Sequence, residues 1–102
     1  MKLLITTQVY ENYGDVDKPY WKAKGGCDYV VKNFKGNRRP SVADSATEAV
    51  MALRSQIEQD NEYYRETIID FRIVADDYLT EFEKSQLEYE GKILFPAKEL
   101  VI

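Results

Sequence analysis

The sequence contains no histidine and a single cysteine, Cys27. Histidine is the commonest general base near neutral pH and a leading metal ligand, so its absence excludes catalytic triads built on imidazole and histidine-centred zinc sites. One cysteine permits neither an intramolecular disulfide nor a thiolate metal cluster within one chain, which fits a reducing compartment. Long apolar runs are missing too. The opening MKLLITTQVY is interrupted by Thr6, Thr7 and Gln8, too short and too polar for a signal-peptide core, and no window approaches the roughly 18 apolar residues of a membrane span. A cytoplasmic protein without membrane contact is the expectation. Glycines are few, and neither of the common phosphate-cradling glycine patterns occurs.

What is present is enough to fold. The 102 residues are 44% hydrophobic and 31% charged, which offsets ordering entropy but leaves no room for two independent cores. One compact domain over residues 1–102 is expected. Its charge is uneven: the segment Lys18 to Arg39 carries seven cationic side chains against Asp28 alone, in a chain whose formal net charge is −4.

Period-two alternation of Leu3, Ile5, Thr7 and Val9 with Leu4, Thr6, Gln8 and Tyr10, rich in β-branched residues, predicts a strand over Lys2 to Tyr10. Glu11 to Lys18, followed by Pro19, reads as a loop. Tyr20–Lys24 and Cys27–Phe34 read as two strands of a hairpin turning at Gly25-Gly26, because glycine reaches the positive φ of a type I′ turn without steric cost. The alternative is one long strand bent at a glycine bulge. After a second loop, KGNRRP, the S-x-x-E pattern of Ser45 and Glu48 predicts a capping box, and Ala46, Ala49, Val50, Leu53 and Ile57 fall at helical spacing, giving a helix from about Ala46 to Asp60. Period-two spacing returns over Arg65 to Ala75, with apolar residues on both faces, as in a central strand. Asp76-Asp77, or Thr80 with Glu83, would cap a second, more superficial helix that Gly91 stops. Lys92 to Ile102 would be a closing edge strand interrupted by Pro96. The predicted class is α+β: a mainly antiparallel sheet in the order β, β-hairpin, α, β, α, β, with two helices packed on one face.

Candidate chemistry is sparse. Asp76, Asp77, Asp70 and Glu81 are able to hold a hard cation, but carboxylates at a helix N-terminus are the ordinary reading, and no metal or cofactor is expected. Cys27 reads as a buried inert thiol. The acidic second half suggests phosphate mimicry at most weakly; a solvated helix face accounts for it. The remaining feature is the basic and aromatic segment. Tyr20, Lys22 and Lys24 share one strand face and Trp21 the other, and Lys35, Arg38 and Arg39 extend a cationic rim. Those seven residues are the candidate contact set, since aromatic and arginine side chains dominate interface energetics. They suit a macromolecular partner or, through stacking and phosphate contacts, nucleic acid; the bland alternative is aromatics serving the core and lysines protecting an edge.

The stretches LLITTQVYENYG and PYWKAKGGCDYVV, within about the first third of the chain, resemble small accessory proteins carried by tailed phages and mobile elements. The resemblance implies a non-enzymatic protein of the host cytosol that binds and redirects or blocks a host factor, including defence nucleases as anti-CRISPR and anti-restriction proteins do. Direct nucleic-acid binding and a small-molecule or nucleotide-binding dimer are the alternatives, and exposed edge strands make a homodimer an option.

Overall fold

A computed structural model describes residues 2–31, 34, 42–92 and 97–100. In chain order the elements are β1 (Lys2–Asn12), β2 (Trp21–Gly25), β3 (Asp28–Val31), α1 (Val42–Ile57), β4 (Gln59–Asp60), β5 (Tyr64–Val74), α2 (Tyr78–Glu90) and β6 (Lys98–Leu100). The fold is α+β, with a mixed sheet in the order β4-β5-β1-β3-β6 and β2 also paired to β1.

The central strand is β1. It has more buried residues than any other described strand, and Leu3, Leu4 and Ile5 are all buried, one face after the other. Its pairing with β5 is antiparallel along nearly its whole length, from Lys2↔Val74 to Glu11↔Tyr64. On its other edge lie β3 (Leu3↔Val31 to Thr6↔Asp28) and then β2 (Val9↔Gly25 to Asn12↔Trp21). β5, expected to be central, is covered on its outer edge only at Glu66 and Arg65, by the two residues of β4. From Thr67 onward no strand among the described residues pairs with that edge.

The expected hairpin between Tyr20–Lys24 and Cys27–Phe34 does not form. β2 and β3 both pair with β1, as one long strand broken at Gly25-Gly26. The register against β1 slips between Val9 and Tyr10, and Gly25 takes a φ of +92° at the slip. Next to it a Cβ on Gly26 would collide with the Thr7 carbonyl oxygen, so the pair of glycines bends the strand and lets it pass close to β1 rather than reversing it.

Leu3, Ile5, Val31 and Tyr29 share one face of the sheet, and the stripe Ala46, Ala49, Val50, Leu53 and Ile57 of α1 packs on them. The predicted stripe is thus the buried one. The helix starts at Val42, placing Ser45 inside it instead of at a cap; propagation through good helix formers such as Ala43 and Ala46 overrides the weak capping preference. It ends at Ile57 because the chain reverses: Asn61 Oδ1 accepts from the amides of Tyr63 (3.0 Å) and Tyr64 (2.9 Å), closing a β4–β5 hairpin where helix was expected to continue. The second helix begins at Tyr78, with Asp77 in the cap position but making no side-chain cap bond, and Gly91 closes it with an amide donation to Leu87 O at 3.1 Å. Its described side chains add nothing to the core cluster. β6 lies at the edge, parallel to β3, the one parallel pair among the described residues. The expected strand residues 93–96 lie outside the described residues. No helix among the described residues is long and apolar enough to cross a membrane.

Candidate functional site

The far end of the β1–β5 ladder, away from Leu3, gathers the aromatic residues. Asn12, the last residue of β1, organises this end. Its Oδ1 accepts from the amides of Gly14 (2.9 Å) and Tyr20 (2.8 Å), and its Nδ2 donates to the carbonyls of Glu62 (2.9 Å) and Asp15 (3.3 Å). One buried side chain thereby ties the β1–β2 loop to the β4–β5 turn. The loop is further closed by the Tyr13 amide on Tyr20 O (2.9 Å), and by the Lys18 amide on Asp15 Oδ1 (2.7 Å). In the sequence Asn12 is one polar residue of an expected loop; its position directly before Tyr13-Gly14, where an Asx side chain can take over backbone bonds, is the only signal of this role.

On this support Tyr13, Tyr20 and Tyr63 stand exposed, Tyr20 to 63%. Pairing places Trp21 opposite Asn12 and Ala23 opposite Tyr10, on the face away from α1. There the Arg65 guanidinium lies 4.0 Å from the Trp21 ring centroid, a separation typical of a stacked cation–π contact. Arg65 Nε also donates to Asp60 Oδ1 at 2.8 Å. Lys22 pairs opposite Glu11. Lys24, the residue that the slip leaves over, reaches 5.0 Å from the Tyr13 ring and 4.0 Å from Glu11 Oε2. Four of the seven residues singled out in the sequence, Tyr20, Trp21, Lys22 and Lys24, therefore share one end of the molecule, joined by Tyr13, Tyr63 and Arg65, which no sequence pattern connects to them. Lys35, Arg38 and Arg39 lie outside the described residues. The cationic character is also weaker than the sequence suggests, because Glu11 and Asp60 sit against Lys24 and Arg65.

A second polar cluster lies under α1. Glu66 is 2% exposed. Its Oε2 accepts from Tyr29 OH (2.6 Å) and Thr7 Oγ1 (2.7 Å), and its Oε1 from Tyr64 OH (3.1 Å). Burial, followed by the bond to Glu66, pushes the Tyr29 hydroxyl above its ordinary range; burial and the nearby Glu66 charge push Tyr64 up to about 12. Both phenols are therefore donors at neutral pH, and the carboxylate is their shared acceptor. The Thr7 hydroxyl also accepts from the Cys27 amide at 3.3 Å. The arrangement clamps β1, β3 and β5 together, with both carboxylate oxygens engaged by hydroxyl donors.

Among the described residues no three acidic or sulfur side chains gather to hold a metal, so the Asp70, Asp76, Asp77 and Glu81 constellation does not assemble. Two shallow grooves flank Arg54 and Glu58, which are themselves paired. One, of about 290 Å³, is lined further by Gln59, Asp60, Arg65, Glu66 and Thr67; the other runs between α1 and β5. No protein-family model, curated protein or solved structure matches the chain.

Proposed function

We propose that the protein acts by binding a macromolecule, without catalysis, and that the aromatic end of the sheet is its contact surface. The observation that carries this reading is the exposure of Tyr13, Tyr20 and Tyr63 on loops held by the Asn12 hub. Tyrosines offer large contact area, and a fixed support lowers the ordering cost of using it. Trp21 and Arg65, stacked beside them, belong to the residue types that dominate protein interfaces. A protein partner suits the local charge better than a polyanion, because acidic side chains sit against Lys24 and Arg65. The resemblance to phage accessory proteins directs the search to host factors, defence nucleases first.

The test is affinity purification of the tagged protein from host lysate, with and without nuclease, in parallel with a Tyr20→Ala/Tyr63→Ala variant. As control serves Tyr89→Ala, a change at an exposed tyrosine of α2. A partner that survives nuclease, is retained by the control and is lost from the double variant is the expected result. Equal capture by both variants defeats the assignment. Direct nucleic-acid binding, favoured by the Trp21–Arg65 stack, makes the opposite forecast: capture lost on nuclease treatment and oligonucleotide affinity that falls steeply with salt.

A further inference from the structure

At the opposite end of the β1–β5 ladder, no strand among the described residues pairs with the outer edge of β5. β4 covers it only at Arg65 and Glu66, and Glu58 Oε2 accepts from the Ile68 amide at 2.9 Å, which occupies the next donor. Beyond that point the edge faces a groove of about 330 Å³ between α1 and β5, with Val50, Met51, Ile68, Ile69 and Phe71 in its lining. Met51 is 69% exposed and Ile69 60%. An exposed, apolar strand edge is a template for pairing with another strand.

We propose that this edge is where two copies of the chain join, β5 pairing antiparallel with β5 of a second copy about a two-fold axis through Phe71. The sequence of the edge selects that register. A two-fold antiparallel pairing sets each residue opposite its mirror position, so an axis through Phe71 places Asp70 opposite Arg72 of the other copy, twice. An axis through Asp70 or Arg72 instead stacks like charges on itself, which is destabilising. Asp70 and Arg72 lie on one face, opposite Thr6 and Leu4 of β1, so the two ion pairs form side by side there. Phe71 lies on the other, opposite Ile5, and meets its own copy. Both α1 helices then flank the paired rings, and each Met51 closes over them. Arg72 already donates to Tyr78 OH at 2.9 Å, and the guanidinium retains further donors for Asp70. The joined sheet is isologous and closed, so pairing stops at two copies. This surface is separate from the aromatic end, and the dimer stands or falls independently of the partner proposed there.

Sedimentation from low to high micromolar concentration should show the 11.9 kDa chain passing to twice its mass. Asp70→Arg sets Arg against Arg72, and Arg72→Asp sets Asp against Asp70; each variant alone should remain monomeric. Mixed in equal amounts, the two are complementary at both positions and should form a one-to-one heterodimer, which also demonstrates that each is folded. In the wild type, amide exchange across residues 69–73 should slow as concentration rises. A wild type that stays monomeric throughout, single variants that still dimerise, a mixture without heterodimer, or exchange at 69–73 that ignores concentration would each overturn the proposal.

Discussion

Glu66 is the only buried acid among the described residues, and its three partners are all hydroxyls. Replacing it with leucine keeps the volume roughly but strands Tyr29 and Thr7 donors in the core, where an unsatisfied group costs about 1–3 kcal/mol. Glu66→Leu should therefore lower the unfolding free energy by about 3 kcal/mol and Glu66→Gln, which keeps an acceptor oxygen, by about 1 kcal/mol. Urea denaturation decides it, and a leucine variant as stable as the parent would show that the hydroxyls find other acceptors. The tyrosines give this cluster an alkaline signature. The folded-state pKa of Tyr64 is raised from 10.0 to about 12, so above pH 10 the unfolded chain releases its proton first. Stability is complete below that pH and declines as pH rises towards 12. Thermal melts across this window should fall less steeply for Tyr64→Phe than for the parent; identical slopes would remove the tyrosine from the account. None of this is legible in the sequence, where Glu66 stands as one carboxylate among many on the nominally polar face of a strand. Its burial follows from β5 slipping one residue against β1 between Thr6 and Thr7. That slip puts Glu66 and Ile68 on the same face as Phe71 and Ile73 and breaks the alternation that a periodicity argument assumes.

Among the elements, α1 is the most readable, since its stripe from Ala46 to Ile57 depends only on local spacing. The expected limits of β1 and β5 fall within two residues of their observed ends, again because alternation is local. The pairing of β2 and β3 is not readable, because a Gly-Gly between two strands satisfies a turn and a bulge equally well; which one forms depends on β1, far away in sequence. The two glycines have different duties. Gly25 needs its positive φ, but a Cβ added there would meet open space, so Gly25→Ala should cost about 1 kcal/mol of backbone strain. Gly26 abuts the Thr7 carbonyl, and Gly26→Ala should cost about 3 kcal/mol through overpacking. Urea denaturation of the two variants side by side checks the order, and equal losses would mean that β2 and β3 are not held to β1 at this break. The short β4 is invisible to sequence periodicity, because two residues carry none; only Asn61, with its tendency to replace backbone turn bonds, hints at the reversal.

For the molecule as a whole, the alternation of strand and helix patterns is enough to indicate an α+β chain, yet the candidate surface emerges from a longer-range fact. The β1–β2 loop and the β4–β5 turn meet at Asn12, bringing Tyr13 and Tyr20 to the same end as Tyr63 and Arg65. Short windows of the sequence cannot show that meeting. The same long-range architecture decides what the molecule presents at each end: a tyrosine-rich surface on braced loops, and a β5 edge that no strand among the described residues covers beyond Glu66. It also sets how the chain is made. β1 leaves the ribosome before every strand that flanks it, and the Thr7 and Glu66 side chains that lock the sheet are 59 residues apart. β3 can cover one edge of β1 early, but the other edge waits for β5, so a growing chain carries the strand richest in buried residues half-paired through much of synthesis. Contacts this distant must repay a large loop-closure entropy before they stabilise anything. Folding should therefore be slow for a chain of this size, which stopped-flow refolding from urea would measure.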